Sequence, residues 1–504
     1  MFIRIFKGFL LFMMYSDPIL LFSKEIYEEE LLLQKLTFAS SIVDATFDYF
    51  KIKRILKYKG RPPWDLKNMM KLIHLASVEK IEDSKIIEEK AKRDIYYIAL
   101  CGGIEPSDRS IRDYKVIYSK IQQLILSFTL IFAKKLKLTD YKHLTADGTI
   151  KLACNSPFNI IKKKDIHLLI KHYMVEKLSK KELKQLRRSA KKFLNNKKIS
   201  KEDKVNILFD WYDKLDLTGQ KSIPLFDVDA RLMKTKDKGQ KYKKWAYNIQ
   251  VCTDTKTKLI CAVNVVQYPT DHYQIPALID QTIENIKITP EIISADNIYN
   301  TLGNIFYLKE NNISARIPTT KQSREIMGKT IENMFHRDYF EYDEKRNVII
   351  CPQNQILTQQ SVSEGKTQKG GFFKTNISYY NKKACLNCHH RSKCTESDYR
   401  VITRQVHELS IEVEKIMDTS QGRKDYKNRM KTAESHNGTF SNIFHYDSLQ
   451  IRGLKRVQGL MFRITSAYNT IRIFNIVTSL GLDFETLIKY VYLVCLKKDG
   501  EIIV

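Results

Sequence analysis

From Tyr27 to about Lys137 the apolar residues recur every three to four positions, as in Met69-Met70, Leu72-Ile73 and Leu75-Ala76, with almost no alternation of the β kind. That spacing predicts an N-terminal helical domain, because side chains three and four apart share one helix face. Arg61-Pro62-Pro63-Trp64 precedes one helix, and Gly102-Gly103-Ile104-Glu105-Pro106 precedes another, with Ser107 or Asp108 as its N-cap. The first residues, MFIRIFKGFLLFMMYSDPILLFSK, place bases before an apolar run. Asp17 and Pro18 interrupt it, and only Gly8 to Tyr15 is uncharged and continuous, short of the roughly 18 to 20 residues a membrane span needs. A buried first helix, or an upstream start codon, is expected there rather than an export signal.

After His143 the period changes. Leu144 to Cys154 reads as a strand with a turn at Asp147-Gly148, followed by a long basic helical stretch to about Asp216. Tyr242 to Cys252 puts Trp245, Tyr247, Ile249 and Val251 on one face and Lys244, Asn248 and Gln250 on the other, and Leu259 to Gln267 completes the pair across a polar turn. A helix (Gln274 to Ile286), a strand ending in an acid (Ile292 to Asp296), a helix (Thr301 to Asn311) and a strand (Ala315 to Pro318) follow. Alternation of this kind predicts an α/β sheet covered on both faces. Thr319 to Tyr399 breaks the rhythm and reads as a Cys-rich insertion holding a polar loop, Thr358 to Gly371; helical periodicity resumes from Val401 to Leu496, with Glu434 near the start of a helical tail. The expected domains are residues 1–140, helical and DNA-binding; 141–320, the first part of an α/β core with a basic helical insertion at 155–220; 321–400, the Cys-rich insertion; and 401–504, the completion of the core and the tail.

Composition adds a partner. At 43% hydrophobic residues the chain can bury real cores, and 85 Lys and Arg against 57 Asp and Glu leave a net charge of +28, which calls for a polyanion. The surplus is uneven: Lys177 to Lys201 holds eleven bases, Lys184, Arg187 and Arg188 among them, against the single acid Glu182. That stretch and Arg452, Lys455 and Arg456 in the tail are the candidates for gripping a nucleic-acid backbone. Nine cysteines are too few and too clustered for a secreted disulfide scaffold. Cys385, Cys388 and Cys394, with Cys351 in a Cys-Pro turn upstream, suit a structural tetrahedral Zn²⁺, and His389 or His390 could replace one thiolate. Cys101, Cys154, Cys252, Cys261 and Cys495 lie in apolar contexts and read as core.

The acids carry the chemistry. Asp147 and Asp296 stand at strand ends, where open sheets present functional groups. With Glu434, three carboxylates from two strands and a helix could hold two divalent cations about 3.5–4 Å apart for phosphodiester chemistry, and Mg²⁺ prefers such oxygen ligands. No Gly-rich phosphate cradle points to nucleotide hydrolysis instead. Asp227 and Asp229 stand near the metals or cap a loop, and Asp271 reads as the N-cap of the helix that follows it.

The segments TADGT (Thr145 to Thr149), DVDAR (Asp227 to Arg231), YNIQ (Tyr247 to Gln250), SADNIY (Ser294 to Tyr299) and RMKTAESHNG (Arg429 to Gly438) resemble, in order, motifs of bacterial insertion-sequence transposases of the DDE type. The likeness is to the subgroup with an N-terminal helical domain and a Cys-rich insert before the glutamate. RPPWDLKNMMKLI (Arg61 to Ile73) and GGIEPSDRSIRDY (Gly102 to Tyr114) are similar to its helical domain, so the resemblance spans about Tyr27 to Asn475. It implies a ribonuclease-H-like fold in which Asp147 on the first strand, Asp296 on the fourth and Glu434 on the following helix bind two Mg²⁺ (or Mn²⁺) ions. Water attack would nick donor DNA, and the 3′ hydroxyl would then attack target DNA. The implied partners are double-stranded DNA, as terminal repeats and target, and a second copy of the chain; the implied place is the cytoplasm, on DNA and away from membranes. Tyr426 and Arg429 resemble a tyrosine and arginine of the family signature that would position phosphate. Two departures stand out: Ser441 where several relatives carry lysine, and Asn437-Gly438 where they carry an aromatic-glycine pair. The alternative reading is therefore a catalytically inactive or repurposed copy that still binds DNA.

Overall fold

The computed structural model describes residues 24–53, 62–156, 159–234, 243–366, 373–438 and 448–496. The apolar start of the chain, residues 1–23, lies outside them. Six helices come first: α1 (Lys24–Tyr49), α2 (Leu66–Val78), α3 (Ser84–Arg93), α4 (Ile95–Leu100), α5 (Asp108–Ile117) and α6 (Ser119–Lys135). Their starts are chemically marked. The Asp65 carboxylate accepts the Asn68 N–H at 2.8 Å, and the Ser107 hydroxyl accepts that of Ser110 at 3.3 Å, filling donors that a first helical turn leaves open.

A six-stranded sheet follows. β1 (His143–Leu152) is its centre. The intervening chain contributes β2 (Ile160–Lys162), α7 (Lys163–Met174), α8 (Lys180–Gln185), α9 (Arg188–Leu194), α10 (Lys201–Thr218) and β3 (Ser222–Pro224). The basic stretch is therefore not one long helix: Ser179 and Ser200 each cap a fresh start, and Leu169, Phe193, Leu208, Trp211 and Leu215 close a small core of their own. The sheet resumes with β4 (Arg231–Met233), β5 (Lys244–Asp254) and β6 (Ile260–Val266), then α11 (Ile275–Ile286), β7 (Ile292–Ala295), α12 (Leu302–Glu310) and β8 (Ser314–Arg316). Its order is β6-β5-β1-β7-β8, with β4 also on β5; β5 is antiparallel to β1, while β7 and β8 run parallel to it.

The expected turn at Asp147-Gly148 does not occur. β1 runs straight through both residues, with Asp147 opposite Val251 and Gly148 opposite Gln250. The glycine serves close packing instead: a Cβ there would stand 2.4 Å from Asp271 Oδ1 and 2.5 Å from Gln250 Nε2.

After α13 (Thr320–Ile326) a second, antiparallel sheet of five strands is formed by β9 (Glu341–Asp343), β10 (Val348–Ile350), β11 (Ile356–Lys366), β12 (Phe373–Tyr380) and β13 (Ile402–Val406), with the short helices α14 (Lys382–Leu386) and α15 (Arg391–Cys394) before the last strand. Most of the expected loop Thr358 to Gly371 is thus strand β11, which pairs with β10 and β12 through a bulge at Gln359/Ser361; its polar residues belong to an exposed ribbon rather than to a loop. The insertion also reaches past Tyr399, since β13 completes its sheet.

The chain returns through α16 (Glu408–Asp418), α17 (Ser420–Gly438), α18 (Leu454–Ser479) and α19 (Phe484–Leu496). The 26-residue α18 is buried along most of its length and packs on α6, β6 and α2. It also closes the sheet edge. Asn469 takes the Ile260 N–H and donates to the Ile260 carbonyl, both at 2.9 Å, and Gln458 does the same for Val265 and Val263 at 2.8 Å. Two side-chain amides thereby satisfy backbone that an edge strand would otherwise offer to another chain. One hydrophobic core runs from the N-terminal helices through the sheet to α18 and α19. Among the described residues no single helix is long and apolar enough to cross a membrane.

Candidate active site

Asp147 sits in the middle of β1 and Asp296 follows the last residue of β7, the parallel neighbour in which Ala295 pairs with Ala146. The sheet thus brings two acids, far apart in sequence, side by side on neighbouring strands. Helix α17 lies across them, and its contacts follow helical spacing. Asp425 holds Arg316 of β8 at 3.1 Å, and Tyr426 bonds Ser323 of α13 at 3.0 Å and donates to Asp296 Oδ1 at 3.3 Å. One turn on, Arg429 donates to Asp147 Oδ1 at 2.9 Å; a further turn on, the Thr432 hydroxyl takes Lys258 Nζ at 2.5 Å. Residues 425, 426, 429 and 432 form one inward stripe.

Arg429 is the electrostatic centre. It is 5% exposed and Asp147 is 6% exposed. The nitrogen that bonds Asp147 also lies 4.0 Å from Asp296 Oδ2, and the guanidinium carbon is 5.7 Å from the Tyr426 ring centre. Burial alone would lower the Arg429 pKa, but Asp147 and then Asp296 more than offset it, so the group is held charged above its ordinary value. Asp296 also accepts the Asn297 N–H at 2.7 Å, which fixes the start of the short helical turn behind it.

Behind β1 lies a polar layer that periodicity alone did not reveal. Asn248 and Gln250, read from sequence only as the polar face of their strand, are fully buried and converge on Asp271: Asn248 Nδ2 donates to Asp271 Oδ1 at 2.7 Å and Gln250 Nε2 at 2.6 Å. The Tyr299 hydroxyl donates to Gln250 Oε1 at 2.6 Å. Burial, followed by the charges of Asp271 and Asp147, pushes the Tyr299 phenol well above its usual range, so it stays a donor. Asp271 is therefore not the N-cap of α11, which begins at Ile275 with Gln274 at the cap position and no side-chain cap bond. Gly148, on the strand opposite Gln250, was the signal available in the sequence, since only a residue without a side chain leaves room for this contact.

Glu434 lies on α17 five residues beyond Arg429, in the last part of a helix that begins at Ser420, rather than near the start of a tail. Its side chain, that of Asn437, and all of Ser441 fall outside the described residues. Asp227 and Asp229 do not join the carboxylate pair. Asp227 accepts the Gly453 N–H at 3.0 Å and the Tyr247 hydroxyl at 2.6 Å, and Asp229 accepts the Leu454 N–H at 2.9 Å, so the DVDAR acids hold the first turn of α18. Beside that turn, Arg452, Lys455 and Arg456 are exposed, and Arg452 stacks over Phe226 at 5.0 Å. Lys184 and Arg188 are exposed on the separate basic module, whereas the Arg187 backbone N–H is tied to Asp165 at 3.3 Å.

The four predicted cysteine ligands meet. Cys351, Cys385, Cys388 and Cys394 line one small cavity of about 30 Å³ together with Phe335 and Phe340. Cys385 and Cys394 lie on the short helices α14 and α15, the Cys388 N–H bonds the Cys385 carbonyl at 3.2 Å, and the Asn354 N–H closes a turn on the Cys351 carbonyl at 2.8 Å. Among the described residues, however, no group of three or more His, Cys, Asp or Glu stands ready-made at metal-binding geometry. Of the remaining cysteines, Cys101, Cys252 and Cys261 are buried, and Cys154 and Cys495 are partly so.

Two family models match the chain: a Transposase DDE domain over residues 350–474 and a Transposase domain (DUF772) over residues 27–121. No curated protein matches it. Among solved structures it is similar to the piggyBac transposase synaptic complex with hairpin DNA, at 12% identity and a TM-score of 0.32, over 92% of this chain and 79% of that one.

Proposed function

We propose, from the premise that the chain is a DDE-type transposase, that it cuts DNA at the ends of an insertion sequence and joins the freed 3′ ends to target DNA, with Asp147, Asp296 and Glu434 as the metal-holding triad. The observation that carries this reading is the pair Asp147 and Asp296 on neighbouring parallel strands, sharing one buried cationic nitrogen. Two carboxylates held that close need a cation, and hard oxygen donors of this kind fit Mg²⁺ or Mn²⁺. The strand order β6-β5-β1-β7-β8, with three antiparallel strands and then two parallel ones, supports a ribonuclease-H-like reading of the core.

What divalent ions supply when bound there is activation of the attacking oxygen and neutralisation of the leaving one. The chain's own residues do the rest. Strand pairing with Val251 and the Arg429 bond fix Asp147, and Tyr426 and Asn297 orient Asp296, so neither carboxylate must reorganise as charge develops. Arg429 and Tyr426, which bond the two acids from α17, would position the scissile phosphate. Lys184, Arg187 and Arg188 on the inserted module and Arg452, Lys455 and Arg456 at the head of α18 grip the backbone of double-stranded DNA, both terminal repeat and target, and the N-terminal helices contribute to binding. Two copies pair the two ends, and the work is done on DNA in the cytoplasm. The four cysteines hold a structural Zn²⁺, a reading supported by their common cavity.

The test is a gel assay on duplexes from the DNA flanking the coding region, with and without Mg²⁺. Asp147→Asn, Asp296→Asn and Glu434→Gln should each reduce cleavage to background while salt-sensitive binding persists. Cleavage that survives all three changes removes the triad assignment; wild-type binding without any cleavage favours the repurposed DNA-binding reading, to which Ser441 already points.

A further inference from the structure

Arg429 is placed oddly for a residue whose whole task is to touch DNA. It is 5% exposed, faces inward and spends its charge on the two carboxylates of the site. It is also incompletely used. A guanidinium offers five donors in a flat fork, and a structural arginine on a carboxylate tends to engage it through two parallel bonds. Here one nitrogen serves both acids, at 2.9 and 4.0 Å, and Nε is buried without a partner among the described residues. The stem rises from α17 beside Tyr426, which itself donates to Asp296. Charge holds this group in place while part of its hydrogen-bonding capacity goes unmet, so it is poised to exchange partners.

We propose that Arg429 is the resident counter-cation of the Asp147 and Asp296 pair, an internal stand-in that a divalent metal must displace before the site is loaded. The proposal rests on the metal-holding role given above to those two acids. The guanidinium already holds Asp147 Oδ1 at 2.9 Å, and its charge repels a divalent ion arriving at the same pair in a buried site. Displacement frees a fork suited to a phosphate, which it can bind through two nitrogens. Metal loading and phosphate capture are thereby linked: each favours the arrangement in which arginine has left the acids, and the coupling works in both directions. Without metal and DNA, the guanidinium offsets one of the two negative charges of the pair.

The experiment reads metal binding and not turnover. Mn²⁺ is titrated into DNA-free protein, with free ion followed by its paramagnetic resonance, for wild type, Arg429→Gln, Arg429→Lys and Asp147→Asn. Arg429→Gln should bind Mn²⁺ about tenfold more tightly than wild type, which corresponds to about 1.4 kcal/mol. Its metal-free form should melt lower and gain more in melting temperature from Mn²⁺. Arg429→Lys keeps the charge but not the fork, and should fall between the two; it decides the matter alone if the glutamine variant does not fold. Equal or weaker Mn²⁺ binding in the folded arginine variants overturns the stand-in role. Unchanged binding in Asp147→Asn would instead show that the carboxylate pair is not the metal site, a failure of the underlying reading and distinguishable from the first.

Discussion

Glu82 shows how single charges join distant parts of this chain. Its carboxylate takes Lys115 of α5 at 3.2 Å and Arg463 of α18 at 3.1 Å, and Arg463 also donates to Gln122 Oε1 at 3.3 Å. Burial would raise the Glu82 pKa, but Arg463 and then Lys115 override it and hold the group at about 2, against an ordinary 4.5. The unfolded chain therefore takes up this proton first as pH falls. The stabilisation is complete above about pH 4.5 and is given up as pH drops towards 2. Glu82→Gln should cost about 2 kcal/mol near neutral pH, since it strands two cations in a partly buried setting. In urea titrations its gap from wild type should narrow below about pH 4.5; a gap of constant size would show that the ion pairs are not its source. At this scale the sequence exposes identity but not partnership. Asp147 and Asp296 were legible because apolar flanks set them at a sheet, whereas nothing local to Glu82, Asn248 or Asp271 announces companions that other elements bring to them.

Among the elements, those built on local periodicity read well. The α2 helix and the β5, β6, α11, β7, α12 and β8 series stand within a few residues of the positions that apolar spacing implies. The errors fall where polar sequence hides regular structure. β11 is Ser- and Gln-rich because its ribbon is exposed, and the basic stretch is four helices, restarted by Ser179, Ser200 and, without a side-chain cap, at Arg188. The Cys-rich unit is a separate small sheet whose buried core, among the described residues, is Phe340, Ile349, Leu357, Tyr379 and Ile402, thin for an independently folding piece. A metal would supply what that core lacks. Elemental analysis of protein purified without chelator should find one zinc per chain, and Cys385→Ser with Cys388→Ser should abolish it and make the segment from β9 to β13 sensitive to protease. Wild-type protein without zinc, or zinc retained in the double variant, would reduce the four thiols to packing.

At the scale of the whole molecule two groups of exposed bases are the candidates for gripping DNA. Exposed bases stand on the inserted module at Lys184 and Arg188, and at the head of α18 at Arg452, Lys455 and Arg456. If both places grip backbone, replacing these five by alanine should flatten the dependence of log affinity on log salt by about 0.9 for each phosphate no longer neutralised. Fluorescence anisotropy on a duplex across a salt series reads this directly, and an unchanged slope would move the grip elsewhere. The inserted module meets the rest of the chain at a narrow neck: Asp227 N–H bonds Asn155 Oδ1 at 3.0 Å, and Asn155 Nδ2 returns to the Asp227 carbonyl at 3.5 Å. Entry and exit are thus clasped together just beyond the end of β1, and the module carries its own core. The neck acts as a socket. Whatever is plugged into it can be lengthened, shortened or exchanged without disturbing the strand that bears Asp147, so a chain of this design can change what it grips while keeping what it cuts with.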